Sequence, residues 1–385
     1  MKRMTPASVY IHIPFCAKKC HYCDFNTYAA EGQPMDDYLD ALIKEMLMTA
    51  ESLPDRTMKT VFVGGGTPTI LDAGQMKRLL DGIREAFGFS GDGFEFTMEA
   101  NPGTVDPEKL EVMKEGGVNR ISFGVQSFQD HLLQSIGRMH DVSDVHESIR
   151  QARAAGFNNI SIDLMYGLPR QTMKMMEESL DQALRLNLPH YSIYGLKIEE
   201  NTVFHALYKK NQLPLPSEDE EFAMYQLIRQ RLLEAGYKQY EISNFAKPGF
   251  EGRHNITYWK NEPYLGIGAG AHGYVQSVRH MNYKGVQAYI DRVNSGVLPR
   301  KEVHGVAKEE AMEDFMMVGL RLLDGVAKAD FKDQFGLELD DVFGAVIEDL
   351  VQKGLLTETE AGFKLTENGL LFGNEVFAQF IGEAS

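Results

Sequence analysis

Six short apolar runs, separated by longer segments of helical periodicity, constrain the fold of this chain more than any other feature. They cover residues 9–13, 60–63, 94–98, 120–125, 159–164 and 191–196. The runs are rich in β-branched residues and are bounded by Gly, Pro or Asn, which is typical of buried strands. Repeated strand-then-helix units predict an α/β fold whose parallel sheet has its helices outside. Either a full or partial barrel or an open doubly wound sheet satisfies this pattern.

The length of 385 residues predicts two or three domains, since a domain takes about 150 residues. We expect a core over residues 1–300, with six βα units to about residue 236 and a segment at 237–300 that closes it. Residues 301–385 are expected to form a small α+β, winged-helix-like domain. Its predicted helices cover 309–323, 328–335 and 339–353, and a hairpin covers 355–366. We interpret it as a packing or docking module.

The charge balance excludes some classes of protein. Lys and Arg total 39 against 55 Asp and Glu, so the net charge is −16, and 43% of the residues are hydrophobic. This composition is typical of a globular protein with a large core, and the acidity argues against a nucleic-acid partner. No apolar stretch has the length of a signal peptide or a membrane span. We therefore expect a cytoplasmic protein with no transmembrane segment.

Short motifs follow five of the predicted strands in turn. IPFC follows the first strand, GGGTP the second, EANPG the third, QS the fourth and YGLP the fifth. In parallel α/β folds, ligands bind at the carboxyl ends of the strands, where the loops that follow them meet. The five motifs therefore predict one site on one face of the sheet.

The three cysteines of the chain, Cys16, Cys20 and Cys23, lie within eight residues of each other with the spacing C-x3-C-x2-C. Soft thiolate ligands favour iron–sulfur clusters, Cu(I) or zinc. A four-iron cluster held here would have three protein ligands and one iron open to another ligand. The alternative is a zinc site completed by His12 or His21, but zinc sites usually pair two separated ligand knuckles, and no second knuckle exists.

With Tyr22 before the third cysteine, this spacing resembles the motif of the radical S-adenosylmethionine (SAM) superfamily. YIHIPFC, GGGTPT, GVQSF, GR-x-H and DLMYGLP are similar, in this order, to the branch that holds oxygen-independent coproporphyrinogen III oxidase and its paralogue family of heme chaperones. The likeness runs from about residue 10 to residue 273. It implies a partial (β/α)6 barrel of parallel strands.

The resemblance also implies the cofactors. Three cysteines would hold a 4Fe-4S cluster, and the amino and carboxylate groups of SAM would chelate the open iron. A cluster reduced by an electron donor cleaves SAM to methionine and a 5′-deoxyadenosyl radical, which is chemistry that the cofactors supply and the protein positions. The residues expected to contact SAM are Tyr10, Tyr22, Gly65, Gly66, Thr67, Glu99, Gln126, Arg138 and Asp163.

Residue chemistry supports several of these assignments. Glycines before Thr67 allow a ligand to approach the backbone closely, although a tight turn alone would also explain them. Glu99, Gln126 and Asp163 end predicted strands and could accept hydrogen bonds from an ammonium or ribose group. Arg138 could pair with the methionine carboxylate through two hydrogen bonds.

Two functions remain open, a heme chaperone and the oxidase. As the resemblance implies, the oxidase has a fourth cysteine two residues after the third and a longer segment before the cluster. Here Phe25 takes the cysteine position, and 15 residues precede Cys16. Both departures favour the chaperone, whose partners would be heme or a porphyrin and a heme-acceptor protein.

The segment HNITYW matches a heme-associated motif of the chaperone family. His254 could ligate iron, and Tyr258 and Trp259 could stack on a porphyrin. The alternative is that His254 and Trp259 are core residues that close the barrel mouth. The later run GIGAGAHG lacks the acidic residue and βαβ context of a dinucleotide site. By resemblance it closes over the radical site, with His272 facing the cofactor.

Overall fold

A nine-stranded sheet forms the centre of the computed structural model, which describes residues 5–53, 55, 57–89 and 93–384. Its strands, in chain order, are β1 Ser8–Ile13, β2 Thr60–Gly65, β3 Glu95–Ala100, β4 Arg120–Gln126, β5 Asn159–Tyr166, β6 His190–Gly195, β7 Lys238–Gln239, β8 Asn244–Ala246 and β9 Leu265–Ile267.

Strands β1 to β6 lie side by side in chain order, each parallel to the next. β9 adds a further parallel strand beside β1, and β8 pairs antiparallel to β6 at the other edge, followed by β7. Because β7 and β9 do not pair with each other, the sheet is an open, partial barrel. All six predicted strands are present, each with its ends within two residues of the predicted ones.

Fifteen α-helices lie in the described ranges. They are α1 Met35–Glu51, α2 Ala73–Ala86, α3 Pro107–Glu115, α4 Asp130–Ser135, α5 Val142–Ala154, α6 Met173–Arg185, α7 Val203–Tyr208, α8 Glu218–Glu234, α9 Arg253–Trp259, α10 Val286–Asn294, α11 Lys308–Gly319, α12 Lys328–Phe335, α13 Leu339–Gln352, α14 Glu367–Leu371 and α15 Gly373–Ala378. A short 3-10 helix covers Pro68–Ile70. No described helix is long and apolar enough to span a bilayer.

Local sequence explains where several helices start. Asp72, Asp141 and Ser217 each form a capping box before α2, α5 and α8, in which side chain and backbone satisfy each other's hydrogen bonds. Their apolar faces pack on the sheet, whose central strand β4 is buried along its whole length. A strand buried on both faces is typical of a parallel sheet covered by helices.

A second, antiparallel sheet follows the barrel strands. It contains β10 His272–Val275, β11 Val278–Asn282 and β12 Arg300–Gly305, with β11 in the middle. β12 crosses the predicted domain boundary at residues 300 and 301, because it pairs with β11 along its length. The small sheet was not predicted from the sequence.

The C-terminal region has a separate hydrophobic core, built around α11 to α13. Its small sheet contains β13 Val326–Ala327, β14 Leu356–Glu358 and β15 Gly362–Leu365, with β15 in the middle. Three helices followed by this hairpin agree with the winged-helix-like prediction. The predicted first helix was too long, because α11 ends at Gly319. The division of the chain into two domains stays a prediction.

Candidate functional site

The three cysteines line one cavity of about 350 Å³ at the carboxyl ends of the barrel strands. Cys16 ends a two-residue strand that pairs with Tyr28–Ala29, so the loop between them returns to its starting point. Within this loop the Cys23 N–H donates to the Cys20 carbonyl. All three thiols are free, and burial raises the pKa of Cys16 and Cys23. Thiols become ligands only as thiolates, which a bound metal cation would favour.

Neither histidine of the zinc alternative lines the cysteine cavity. His12 uses both ring nitrogens, which lie 2.9 Å from the Tyr10 hydroxyl and 2.9 Å from the Asn26 carbonyl. His21 bonds through Nδ1 to the Ser135 carbonyl. Among the described residues, no three His, Cys, Asp or Glu side chains gather around a single metal ion. Three thiols around a cavity of this size suit a larger group, such as a cluster.

A wall without side chains adjoins the cysteine loop at the end of β2. A Cβ at Gly66 would lie 2.5 Å from the Phe15 carbonyl oxygen, and a Cβ at Gly64 would lie 2.7 Å from a Glu99 oxygen. Gly65 has a φ of +112°, which disfavours any other residue. The positions of these Cβ atoms are thus taken by neighbouring protein atoms, so the glycines let the strand ends pack closely together. Gly65 and Gly66 also line the cavity.

Two carboxylates line the cavity from β3 and β5, the strands on either side of β4. Glu99 accepts a hydrogen bond of 2.9 Å from the Gly65 N–H, and Asp163 accepts one of 3.2 Å from the Ser122 hydroxyl. Burial, reinforced by the nearby Asp163, raises the pKa of Glu99 to about 7. Burial also raises the pKa of Asp163. Paired buried acids of this kind favour a cationic or hydrogen-bond-donating ligand between them.

A chain of hydrogen bonds connects Arg138 to the cysteine loop. Its Nη1 donates to Asn101 Oδ1 at 2.7 Å, and its Nη2 donates to the Tyr22 hydroxyl at 3.0 Å. The Asn101 amide donates to Thr67 Oγ1 at 2.8 Å, and the Thr67 hydroxyl donates to Cys16 Sγ at 3.6 Å. Arg138 Nε is buried without a partner in the described part of the chain. Arg138 also lines the cavity, and the positive charge of its guanidinium favours an anionic ligand group there.

Eight of the nine residues predicted to contact SAM line the cysteine cavity, including Gln126, which ends β4 with a φ of +67°. The exception is Tyr10, which lines a neighbouring groove. The cavity also contains residues that were not singled out from the sequence: Asn101, Ser122, Met165, Tyr194 and Lys197. Asn101 lies within the EANPG motif, so its strand-end position was the available signal.

The neighbouring groove, which we call the aromatic groove, has a volume of about 390 Å³. The residues that line it are Tyr10, His12, Asp24, Phe25, Asn26, Gly65, Glu99, Tyr258, Tyr264, Gly270, Ala271, His272 and Lys284. Four of these residues, Asp24, Phe25, Gly65 and Glu99, also line the cysteine cavity. His272 lines the aromatic groove but not the cysteine cavity.

The residues of the HNITYW segment form α9, which begins at the opposite end of the barrel from the cysteines. The Arg253 and His254 N–H groups donate to the carboxylate of Glu95, the first residue of β3. His254 Nδ1 lies 2.8 Å from the hydroxyl of Thr60, the first residue of β2. Here a strand carboxylate takes the place of the helix's missing side-chain cap.

His254 is 1% exposed, and its Nε2 lies 2.8 Å from the Tyr258 hydroxyl. Burial lowers its pKa to about 3. Ligation of heme iron by His254 therefore stays a prediction that requires one of its two hydrogen bonds to break and the buried ring to become accessible. The geometry favours the alternative of a core histidine.

Tyr258 reaches the aromatic groove, whereas Trp259 lies on the other side of α9. The guanidinium of Arg321 is 4.4 Å from the Trp259 ring centroid. Trp259 also lines a small cavity together with Phe315 and Gly319. The Trp259 Nε1 is buried without a partner in the described part of the chain. Trp259 thus packs against the C-terminal region.

Residues 10–183 match the model of the radical SAM superfamily, and residues 306–372 match the HemN C-terminal domain. The chain is 49% identical to heme chaperone HemW of Bacillus subtilis, with 98% of this chain and 99% of that protein covered. It is 37% identical to heme chaperone HemW of Escherichia coli over the whole of both chains.

A solved structure, that of coproporphyrinogen III oxidase (HemN) from Escherichia coli, is similar in fold, with a TM-score of 0.85. The alignment covers 98% of this chain and 90% of that one at 26% identity. That oxidase is described as a radical SAM enzyme, and its structure shares both the barrel and the C-terminal region of this chain.

Proposed function

This chain belongs to the HemW family of the radical SAM superfamily, and on that basis we propose that it binds heme and passes it to an acceptor protein. The observation that carries the proposal is identity of 37–49% with proteins named heme chaperone HemW, over 98% or more of this chain. Likeness to the oxidase is weaker in sequence, at 26% identity.

We propose that Cys16, Cys20 and Cys23 hold a 4Fe-4S cluster, whose chemistry when bound is one-electron transfer to SAM. The chain's own residues would then orient the cofactor. The backbone of Gly65 and Gly66, which lines the cavity, would receive its methionine end. The Arg138 guanidinium, which lines the cavity, would attract the cofactor carboxylate.

The acidic side of the cavity would take the cationic and hydroxyl groups of SAM. Glu99 and Asp163 offer acceptor oxygens. Gln126 also lines the cavity from the end of β4, where its backbone has the left-handed conformation. Tyr22 would act indirectly, because its hydroxyl accepts from Arg138 and holds the guanidinium in place. Tyr10 would act from the groove side, where its hydroxyl bonds His12.

The position of Phe25 supports a chaperone rather than an oxidase. Phe25 lines both the cysteine cavity and the aromatic groove, and 63% of its surface is exposed. A large apolar side chain that is open to solvent beside a groove suits a flat apolar ligand. The proposed partners are heme, a heme-acceptor protein and an electron donor, and the proposed location is the cytoplasm.

One experiment on anaerobically reconstituted protein tests the function. Hemin titration should give a saturable shift of the Soret band at one heme per chain. The same sample, supplied with a reductant, SAM and coproporphyrinogen III, should form no protoporphyrinogen. Robust product formation would replace the chaperone proposal by the oxidase, and absence of heme binding would remove the chaperone proposal.

Cys16→Ala tests the cluster assignment separately. The variant should lose most of the iron and the brown absorbance of the reconstituted protein, because the remaining two cysteines leave two irons without protein ligands. Iron and acid-labile sulfide should be measured against wild-type protein reconstituted in parallel. A variant with the full iron content would overturn the assignment of this thiolate.

A further inference from the structure

We propose that heme binds in the aromatic groove and that His272 ligates its iron. The inference rests on the proposed function and assigns it a site that differs from the HNITYW histidine. A heme-binding groove needs a flat apolar wall, an available nitrogen ligand and a cation for the propionates. The aromatic groove supplies all three from separate elements.

The apolar wall comes from the rings of three tyrosines and from Phe25, and because Tyr258 and Tyr264 are inclined by 77°, only one of these two rings can lie flat on a porphyrin. Tyr258 and Tyr264 contact each other edge to face, with 4.6 Å between ring centroids. Tyr10 stands on β1 in the same groove. Aromatic faces stack well on extended flat ligands, and the exposed Phe25 ring could cover the opposite face.

His272 differs from the groove's other histidine in having no competing partner. Both ring nitrogens of His12 are bonded, whereas no hydrogen bond, ion pair or ring contact involves the His272 side chain among the described residues. Its ring is exposed to solvent. An unpaired neutral imidazole that opens into a groove can donate its lone pair to iron.

The backbone holds His272 in a fixed position. It begins β10 and pairs with Met281 of β11. Gly266 of β9 lies so close that any Cβ there would collide with the His272 carbonyl. A ligand residue on a strand is positioned more sharply than one on a free loop, as metal binding requires.

Charges around the groove fix the orientation of the porphyrin. Lys284 is an exposed cation at its edge, whereas Asp24 and Glu99 lie on the side shared with the cysteine cavity. Propionates are anionic and would be repelled from the acidic side. The porphyrin therefore enters with its propionates toward Lys284 and its apolar edge toward Phe25.

This site gives His254 an indirect role. His254 bonds the Tyr258 hydroxyl at 2.8 Å and so fixes the tyrosine that lines the groove. It acts as a positioning residue, since it is buried behind Tyr258. Its loss should weaken the packing of heme without changing the axial ligand.

The test is a hemin titration of reconstituted full-length protein, followed by absorbance and EPR spectroscopy. His272→Ala should change the Soret position and the iron spin state and weaken hemin binding roughly tenfold or more, since even outer-shell groups of metal sites contribute about 10–100-fold. His254→Ala should weaken binding and leave the spin state as in wild type. The control is His304→Ala, which removes an exposed histidine that is paired with Glu310.

Failure of the site and failure of the function give different results. Wild-type protein that binds no hemin overturns both. If wild-type protein binds hemin and His272→Ala binds it with the same affinity and spectrum, the proposed site is wrong but the proposed function stands. A spin-state change in His254→Ala, but not in His272→Ala, would move the ligand to the HNITYW segment. Because His272 is exposed, its replacement should not unfold the protein, and circular dichroism checks this.

Discussion

At the scale of single residues, Asn101 joins two groups of the cofactor cavity, Arg138 and Thr67. Asn101→Ala should raise the dissociation constant for SAM about tenfold, because a hydrogen bond to a charged group contributes about 1.5–3 kcal/mol. The iron content should stay at the wild-type level, since Asn101 reaches the thiol of Cys16 only through Thr67. Equilibrium dialysis of reconstituted protein measures the first quantity and iron analysis the second.

Asn294→Ala is a matched control, because Asn294 is exposed at the end of α10 and far from the cavity in the fold. The role of Asn101 would be contradicted by an unchanged affinity for SAM. Loss of iron in Asn101→Ala would mean instead that the hydrogen-bond chain stabilises the cluster loop.

Single residues at strand ends were the most predictable part of the site. Eight predicted SAM residues share one cavity because parallel strands end at one edge of the sheet. Tyr10 departs from this pattern since it lies in the middle of β1 and not at its end. Asn101 was missed because many polar residues follow strands in this sequence, and only their contacts in the fold show which of them line the site.

At the scale of elements, Glu45 ties α1 to the segment that precedes His272. Its carboxylate accepts hydrogen bonds from the Gly268 N–H at 2.8 Å, the Asn282 amide at 2.7 Å and the Tyr289 hydroxyl. Burial raises its pKa to about 7, against about 4.5 in an unfolded chain. Between about pH 4.5 and pH 7, the Glu45 carboxyl is therefore protonated in the native state but ionised in the unfolded chain.

Because the native state holds this proton, the free energy of unfolding should fall as the pH rises through about 7. The Glu45 contribution should amount to about 2.5 kcal/mol between pH 5 and pH 8. Glu45→Gln should remove most of this pH dependence, as measured by urea unfolding at both pH values. Glu51→Gln, at the exposed end of the same helix, is the control. Equal slopes for wild type and Glu45→Gln would contradict the prediction.

Helix α9 shows why the HNITYW segment was hard to interpret from sequence. Residues at i and i+4 share a helix face, so His254 and Tyr258 lie together, whereas Trp259 lies about 140° from His254 around the axis. The surrounding stretch is rich in Gly and aromatic residues and did not predict a helix. Without the helix, the three side chains seemed to belong to one ligand site.

The other face of α9 anchors the C-terminal region through Trp259 and Arg321. Arg321→Ala should lower the free energy of unfolding by about 1 kcal/mol, the usual contribution of a partly buried cation–π contact. Trp259 is the single tryptophan, so its fluorescence reports this contact directly. The heme Soret band should be unchanged, and a shifted band would place this face near the ligand.

At the scale of the whole molecule, the barrel and the C-terminal region have separate hydrophobic cores. A chain of residues 1–305 should still take up the cluster and bind SAM, because every residue that lines the cysteine cavity lies between Cys16 and Glu199. Its thermal midpoint should be lower, since Tyr274 and Trp259 would lose apolar partners. Iron content and circular dichroism, compared with the full-length chain, measure both effects. A folded fragment that takes up no cluster would contradict the expectation.

The barrel was predictable from the sequence because its strands are apolar runs at regular intervals, each bounded by turn residues. The sheet of β10 to β12 was not, because β12 is exposed along its whole length and carries no hydrophobic pattern. Pairing with β11 is what makes it a strand. Contacts between distant segments decide such elements, and a local pattern cannot reveal them.

Asp24, Phe25, Gly65 and Glu99 line both the cysteine cavity and the aromatic groove, so the two sites are adjacent. Any ligand on one side sets the position of atoms that the ligand on the other side must meet. Linkage makes such an effect reciprocal, so the factor by which SAM changes the affinity for heme equals the factor by which heme changes the affinity for SAM. With SAM and heme in the two proposed sites, each ligand would change the affinity for the other through these shared residues.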